Sequence, residues 1–405
     1  MPRRRSRRRL PAAPSPTPVM PPHGADTGNA ARAAWERAAP WALAVAACGA
    51  ALAILSRQVL SPLDPAGKSD FMQHAAFARA LCQGGGMQPH FLFDLVVCGI
   101  AAPLGGGHAF ELAAVAVAAL AVGAKAGLTY RRIREAGEVG TASLAALALL
   151  FAMPLFNWWK FPEVYLGQIS PNVWHNPTAI AVLPLAMLLF SAASKTAITD
   201  RPRRLAGAGA LALLNGLVKP NYLLALLPCW LALLVERAAR APRPLHAGWR
   251  RLAIFVAAVL APVAGLFAWQ AWRLAGTGGG VEIAPLAVWR LYSPNLPASI
   301  LLSLAFPLGV LALHWTSARR QAPLVLAWSV LLVAMLQMAL LAERGPRWPH
   351  ANFFWGAYAA NYLLFVESAV LLAGALRSWR TTVAWGLLAA HAGAGLVYAG
   401  LIVAG

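Results

Sequence analysis

The segment PHFLFDLVVCGIAAPL, Pro89 to Leu104, decides how this chain is threaded. It is as apolar as a membrane helix, yet shorter than the roughly 20 residues that span a hydrocarbon core of about 30 Å. If it crosses, the basic cluster RRIR (131–134) and the clusters after it change sides. If it does not, RRIR, KTAITDRPRR, ERAARAPRPLHAGWRR, SARR and RSWR all fall on the side of the arginine-rich N-terminus. That arrangement places 24 of the 34 Lys and Arg residues on one face. Lys and Arg collect in cytoplasmic loops. Residues 89–104 therefore read as a re-entrant or interfacial helix on the outer side.

Outward from this segment, the chain reads as an all-α polytopic membrane protein. It is 59% hydrophobic and only 12% charged over 405 residues, too apolar for a soluble domain. Crossings are expected at roughly 40–56, 108–130, 141–157, 177–195, 205–218, 221–236, 252–273, 299–316, 322–341, 357–376 and 381–402. These are eleven, with the C-terminus outside. Residues 1–39 read as a disordered basic cytoplasmic tail beside anionic lipid, and 40–405 as one transmembrane domain. The formal charge of +20 lies in short clusters between apolar runs, which argues for the bilayer and against nucleic acid as a partner. No internal repeat stands out, which weighs against a transporter built from inverted repeats. Cys48, Cys82, Cys98 and Cys229 have no zinc or disulfide spacing and read as small core residues. The glycine runs 84–86, 105–107 and 278–280 read as turns. Glu111, Lys125, Glu367 and His391 read as satisfied structural groups inside the bundle.

The chemistry collects in the outer loops, 57–88, 157–176, 274–298 and 342–356. In SDFMQHAAF (69–77), helical spacing puts Asp70, Gln73, His74 and Phe77 on one face and Phe71, Ala75, Ala78 and Cys82 on another. That is an amphipathic surface helix capped by Ser69 or Asp70; its open face is either plainly solvated or one wall of a site. In NGLVKPNYLLALLP (215–228) the two arms around Lys219-Pro220-Asn221 are each only about 14–16 residues, or roughly 21–24 Å. The tip is thus expected below the outer surface, where a cation faces a cavity or a partner. There Lys219 meets either a lipid-linked phosphate or a structural carboxylate, with Asn221 and Tyr222 beside it.

In NWWKFPEVYLGQISPNVWHNPT (157–178), Gln168, Asn172, His175 and Asn176 can bond a polyol. Lys160 joins them as a substrate contact, and Trp158, Trp159 and Trp174 can stack on sugar or prenyl units. The same loop also reads as a cap, with Asn176 ending it before Pro177 at a helix start. In ERGPRWPHANFFWG (343–356), Arg344, Arg347 and His350 are candidates to hold a phosphate; a Glu343–Arg347 surface pair accounts for part of that pattern equally well.

These features resemble the GT-C class of integral-membrane glycosyltransferases. The resemblance rests on the first-loop Asp70, the following GGGMQPHFLFDLVV, the KPNY tip, which is similar to the Lys-Pro of polyprenyl-phosphate-dependent mannosyltransferase-like proteins, and the many-helix topology with large outer loops. It covers about the first 235 residues. It implies a polyprenyl-phosphate sugar donor, a lipid or glycan acceptor of the cell envelope, and transfer with inversion on the non-cytoplasmic face. Asp70 would be the base, Lys219 with Arg344 or Arg347 would neutralise the phosphate, and His74 or His90 would orient either group. Many members carry paired acids in this loop. Here Asp70 stands alone, which leaves Asp94 or Glu163 as alternative bases. One carboxylate beside a His is a poor Mg²⁺ site, so no metal or other cofactor is expected. A transporter or flippase of lipid-linked glycan is the competing expectation.

Overall fold

The computed structural model describes residues 25–60, 69–155, 167–196, 202–240, 246–275 and 280–404. The chain divides into a small N-terminal unit, residues 1–38, and a helical bundle, residues 39–405. In chain order the helices are α1 (Ala25–Leu60), α2 (Asp70–Cys82), α3 (Leu92–Ala101), α4 (Ala109–Arg134), α5 (Val139–Phe151) and α6 (Pro177–Thr196). Next come α7 (Pro202–Val218), α8 (Asn221–Arg240), α9 (His246–Phe255) and α10 (Ala261–Ala275), the last two joined by a π-helical turn. Beyond these lie α11 (Ala287–Tyr292), α12 (Leu296–Leu313), α13 (Trp315–Ala318), α14 (Ala322–Leu340), α15 (Phe354–Ala373) and α16 (Trp379–Ala404).

Among the described residues, nine helical segments are long and apolar enough to cross a membrane. They are α1, α4, α6, α8, the α9–α10 pair, α12, α14, α15 and α16. The chain is an integral membrane protein with an all-helical transmembrane part. Nine of the eleven expected crossings coincide with these segments. The two that do not are α5, with 13 residues, and α7, with 17 residues and two arginines in its first turn. The segment that decides the threading forms α3, whose ten residues rise about 15 Å, half of a hydrocarbon core. A second departure is at the N-terminus. Residues 25–39, expected to be disordered, are helical and continue through Pro40 into the first crossing.

Helix α5 stops early for a local reason. Pro154 disfavours helical geometry in the residue before it, and residues 152–155 run extended. Their backbone then needs partners, since unpaired amides are costly inside a membrane. Met153 N–H donates to the carbonyl of His391, and Leu155 N–H to that of Leu302. The His391 imidazole completes the clasp: Nδ1 bonds the Met153 carbonyl at 2.6 Å and Nε2 accepts from Phe306 N–H at 3.3 Å. These two roles define the Nδ1–H tautomer. Gly395 permits the approach, because a Cβ there would collide with the Phe151 carbonyl.

Helix α15 is the core element. It is buried from Phe354 through Val370, as expected of a helix that is apolar all round. Helices α4, α5, α6, α8, α12, α14 and α16 surround it. At one end of the bundle the late loops are tied together. Strand β1 (Val281–Ile283) pairs antiparallel with β2 (Leu341–Glu343), a two-stranded ribbon in an otherwise helical chain. Trp289 Nε1 donates to the Gly167 carbonyl, and Gln270 Nε2 bonds the carbonyls of Pro89 and Gly216.

Cys82 and Cys98 form a disulfide across the α2–α3 hairpin, with Cα atoms 5.7 Å apart. This corrects their reading as unlinked core residues. Linear spacing hides the pair, because the turn at 83–91 folds two helices face to face; Cys48 and Cys229 remain free. Closing a loop of this length stabilises a fold by about 3 kcal/mol. We expect Cys82→Ser and Cys98→Ser each to lower thermal stability in detergent by a similar amount. A non-reduced peptide map should recover the two peptides linked; recovering them separately would remove this element of the fold.

Candidate functional site

Asp70 opens α2, with Ser69 as N-cap accepting from Phe71 N–H at 3.4 Å. Its backbone N–H donates to the His175 carbonyl at 3.0 Å, so the start of α2 is bolted to the loop at 167–176. The Asn176 side chain makes the decisive connection. Its Nδ2 donates to Asp70 Oδ2 at 2.5 Å. Its Oδ1 accepts from Ala179 N–H at 2.7 Å and from the Thr178 hydroxyl at 2.8 Å, which caps α6. The same oxygen accepts from Lys219 Nζ at 3.3 Å. Asn176 thus caps α6, as one reading of the loop expected, and the same amide links Asp70 to Lys219.

Lys219 is buried at the α7–α8 tip. The arms, at 17 and 20 residues, are longer than expected because the flanking arginines continue both helices. The lysine is enclosed by side chains instead. Nζ lies 4.6 Å from the centroid of the Trp355 ring and donates to Thr178 Oγ1 at 3.1 Å. Two of its three N–H donors are thereby used within the described residues, which leaves one for an anion. A cavity of about 20 Å³ beside it, also lined by Lys125 and Tyr358, accommodates a water-sized guest.

The other expected residues divide sharply. His74 faces inward, with Nδ1 at 2.8 Å from Asp94 Oδ1 and its ring edge-on to Phe77 and Phe93. It does not hydrogen-bond Asp70. Asp94 is buried with Oδ1 on His74, and its Oδ2 has no hydrogen-bond partner among the described residues. His90 lies in the loop that Gln270 pins above α7; burial, with Lys219, His74 and Arg347 nearby, drives its imidazole down to about 3. His175 packs its ring against Trp355, and burial lowers it to about 4, Asp70 opposing and Lys219 adding to the shift. Both histidines are neutral donors or acceptors at physiological pH.

Gln168 donates to the Leu155 carbonyl, and Asn172 is spent on the carbonyls of Leu149 and Ala152 and on Lys125 Nζ. These two amides anchor backbone and leave the site. Tyr222 is buried in the core away from the loops' surface. Asn221 donates to the Asn352 carbonyl, and Asn352 Nδ2 to Glu343 Oε2. Arg347 pairs with Glu343 at 3.4 Å, and Arg344 reaches Glu282 at 3.7 Å on the exposed ribbon. His350 is exposed at the end of the 3-10 turn. Lys160 and Glu163 lie outside the described residues.

Thr178, Trp355 and Gln270 were not singled out in the sequence. Trp355 sits in an aromatic run, FFWG, and nothing local distinguishes the ring under a lysine 136 positions earlier. The four intramembrane groups all have partners: Arg79 for Glu111, Asn172 for Lys125, Arg132 for Glu367 and Met153 for His391. Neither a protein-family model nor a curated protein matches this chain.

Burial is the largest influence on Lys219 and lowers its ammonium to about 8; Asp70 and Glu343 oppose the shift and Arg347 adds to it. A lowered lysine loses its charge as pH rises through that value. Affinity for an anion held by Lys219 should therefore fall as pH rises above about 8. Lys219→Arg, which stays protonated to above pH ~12, should keep affinity flat. A wild-type profile that stays level between pH 7 and about 9.5 would contradict this assignment of the anion contact.

Proposed function

We propose that this protein is a GT-C-type glycosyltransferase that moves a sugar from a polyprenyl-phosphate donor to a lipid or glycan acceptor on the non-cytoplasmic face. The observation that carries the reading is the Asn176 side chain, which joins the first-loop carboxylate to the buried lysine. Asp70 and Lys219, 149 positions apart in the chain, are joined through this one amide, which supports giving them the roles of base and phosphate partner.

In this mechanism the acceptor hydroxyl attacks the anomeric carbon from the face opposite the phosphate. Asp70 takes the hydroxyl proton as the new C–O bond forms. The bond from the anomeric carbon to the phosphate oxygen breaks, and polyprenyl phosphate leaves with that electron pair. Lys219 balances its charge. The leaving group is a stable anion, so one carboxylate suffices and the configuration inverts. Asn176 holds Asp70 in position without taking a proton. The Cys82–Cys98 disulfide supports an outward-facing site, since such bonds persist in oxidising compartments.

The test is transfer of labelled sugar from polyprenyl-phosphate donors by purified protein in nanodiscs. Asp70→Asn should lower turnover by about 10²–10⁴-fold while donor binding stays within a few-fold of wild type. Equal turnover in the variant would reject Asp70 as the base. Tight binding of donors without transfer by the wild type would favour movement of the lipid-linked glycan over its chemistry.

A further inference from the structure

At the other end of the bundle, where RRIR lies, α4, α6 and α15 enclose a cavity of about 370 Å³. Its wall is mixed. Arg132 makes a two-pronged pair with Glu367, at 2.8 and 2.7 Å, and also pairs with Glu135. Arg132 thus meets two carboxylates, one more than it neutralises, and Arg131 with Lys195 leaves the lining one positive charge in excess. Arg131 meets none: among the described residues it has no carboxylate within ion-pair distance, and its guanidinium lies 5.7 Å from the centre of the Trp41 ring. Lys195 adds a second cation to the lining, Ser191 a hydroxyl, and the buried Ser194 Oγ has no hydrogen-bond partner among the described residues.

The cavity does not end there. Leu128, Arg131 and Leu188 also line a second cavity of about 540 Å³, otherwise almost wholly apolar. This groove follows α4 from Arg131 back to Val117, bounded by Trp41 and Ala44 of α1 and by Pro184 and Leu185 of α6. Fourteen helical positions rise about 21 Å, more than one leaflet's half of a 30 Å core. A polar, cation-rimmed pocket opening into a long apolar groove has the shape and charge order of a phospholipid. Basic pockets between membrane helices recognise acidic headgroups.

We propose that this paired cavity is a binding site for one anionic phospholipid, with the headgroup phosphate at Arg131, Lys195 and Ser194 and an acyl chain along α4. The apolar groove selects a lipid over free phosphate, and the unbalanced Arg131 selects an acidic headgroup over a zwitterionic one. The proposal does not rest on the transferase reading, although the far end of the groove reaches Phe93 of α3 and Val218, the residue before Lys219.

Native mass spectrometry of the full-length purified protein, titrated with phosphatidylglycerol, phosphatidylcholine or inorganic phosphate, tests this. One phosphatidylglycerol should bind in preference to phosphatidylcholine by about fivefold for each engaged cation, and phosphate should not compete at equal concentration. Arg131→Ala should remove about one such fivefold step, while Arg131→Lys, which keeps the charge, retains it. Ala121→Phe, which narrows the groove, should weaken both lipids together. Equal binding of the two lipids, displacement by phosphate alone, or full preference in Arg131→Ala would overturn the proposal.

Discussion

The enclosure of α15 is the constraint on which the rest of the structure depends. A helix buried on every side must supply neighbours with apolar contact and find partners for the polar groups it carries; among the described residues, only Asn361 Oδ1 and Ser368 Oγ of its buried side-chain atoms lack one. Gly356 lets α8 approach, because a Cβ there would stand 2.8 Å from the Asn221 carbonyl. One turn on, Asn361 donates to the Ile169 carbonyl and fixes the loop that carries His175 and Asn176. Tyr362 shares a 2.7 Å hydrogen bond with Thr129, and Glu367 takes Arg132. Trp355, at the top of the same helix, forms the floor under Lys219. The candidate site is thus built against the helix that is buried on every side, the kind of support that holds functional side chains in place.

The membrane class was legible because length and apolarity act locally. A run of twenty apolar residues needs no partner to declare itself, and nine crossings followed from it. That 89–104 holds a helix too short to span a hydrocarbon core was also legible, from the length of its apolar run. What failed depended on packing. Pro154 shortens α5, but only the carbonyls of Leu302 and His391 make the extended continuation affordable inside the bundle. The disulfide depends on how α2 folds back on α3, which spacing does not encode.

The site divides along the same line. Asp70, Lys219 and Asn176 stood out as polar residues in apolar surroundings, and they meet. His74 stood out for the same reason, yet it serves the interior. The i, i+4 spacing places it on the Asp70 face of α2 but cannot say that α3 covers that side and offers Asp94. Asn172 likewise looked like a sugar contact, whereas three backbone and side-chain partners consume it. Amides in a membrane protein have two uses, binding ligands and sealing broken backbone, and only the fold separates them.

The central claim of the proposal is that the anionic end of a polyprenyl carrier meets Lys219, near Asp70. Photo-crosslinking tests it most directly, using polyprenyl phosphate with a diazirine beside the phosphate and mass spectrometry to map the labelled peptides. The account predicts labels on the segments around Asn176 and Lys219, lost on competition with unlabelled polyprenyl phosphate. Labels confined to the Arg131–Lys195 end, or labels at the loop end that competition does not remove, would contradict it.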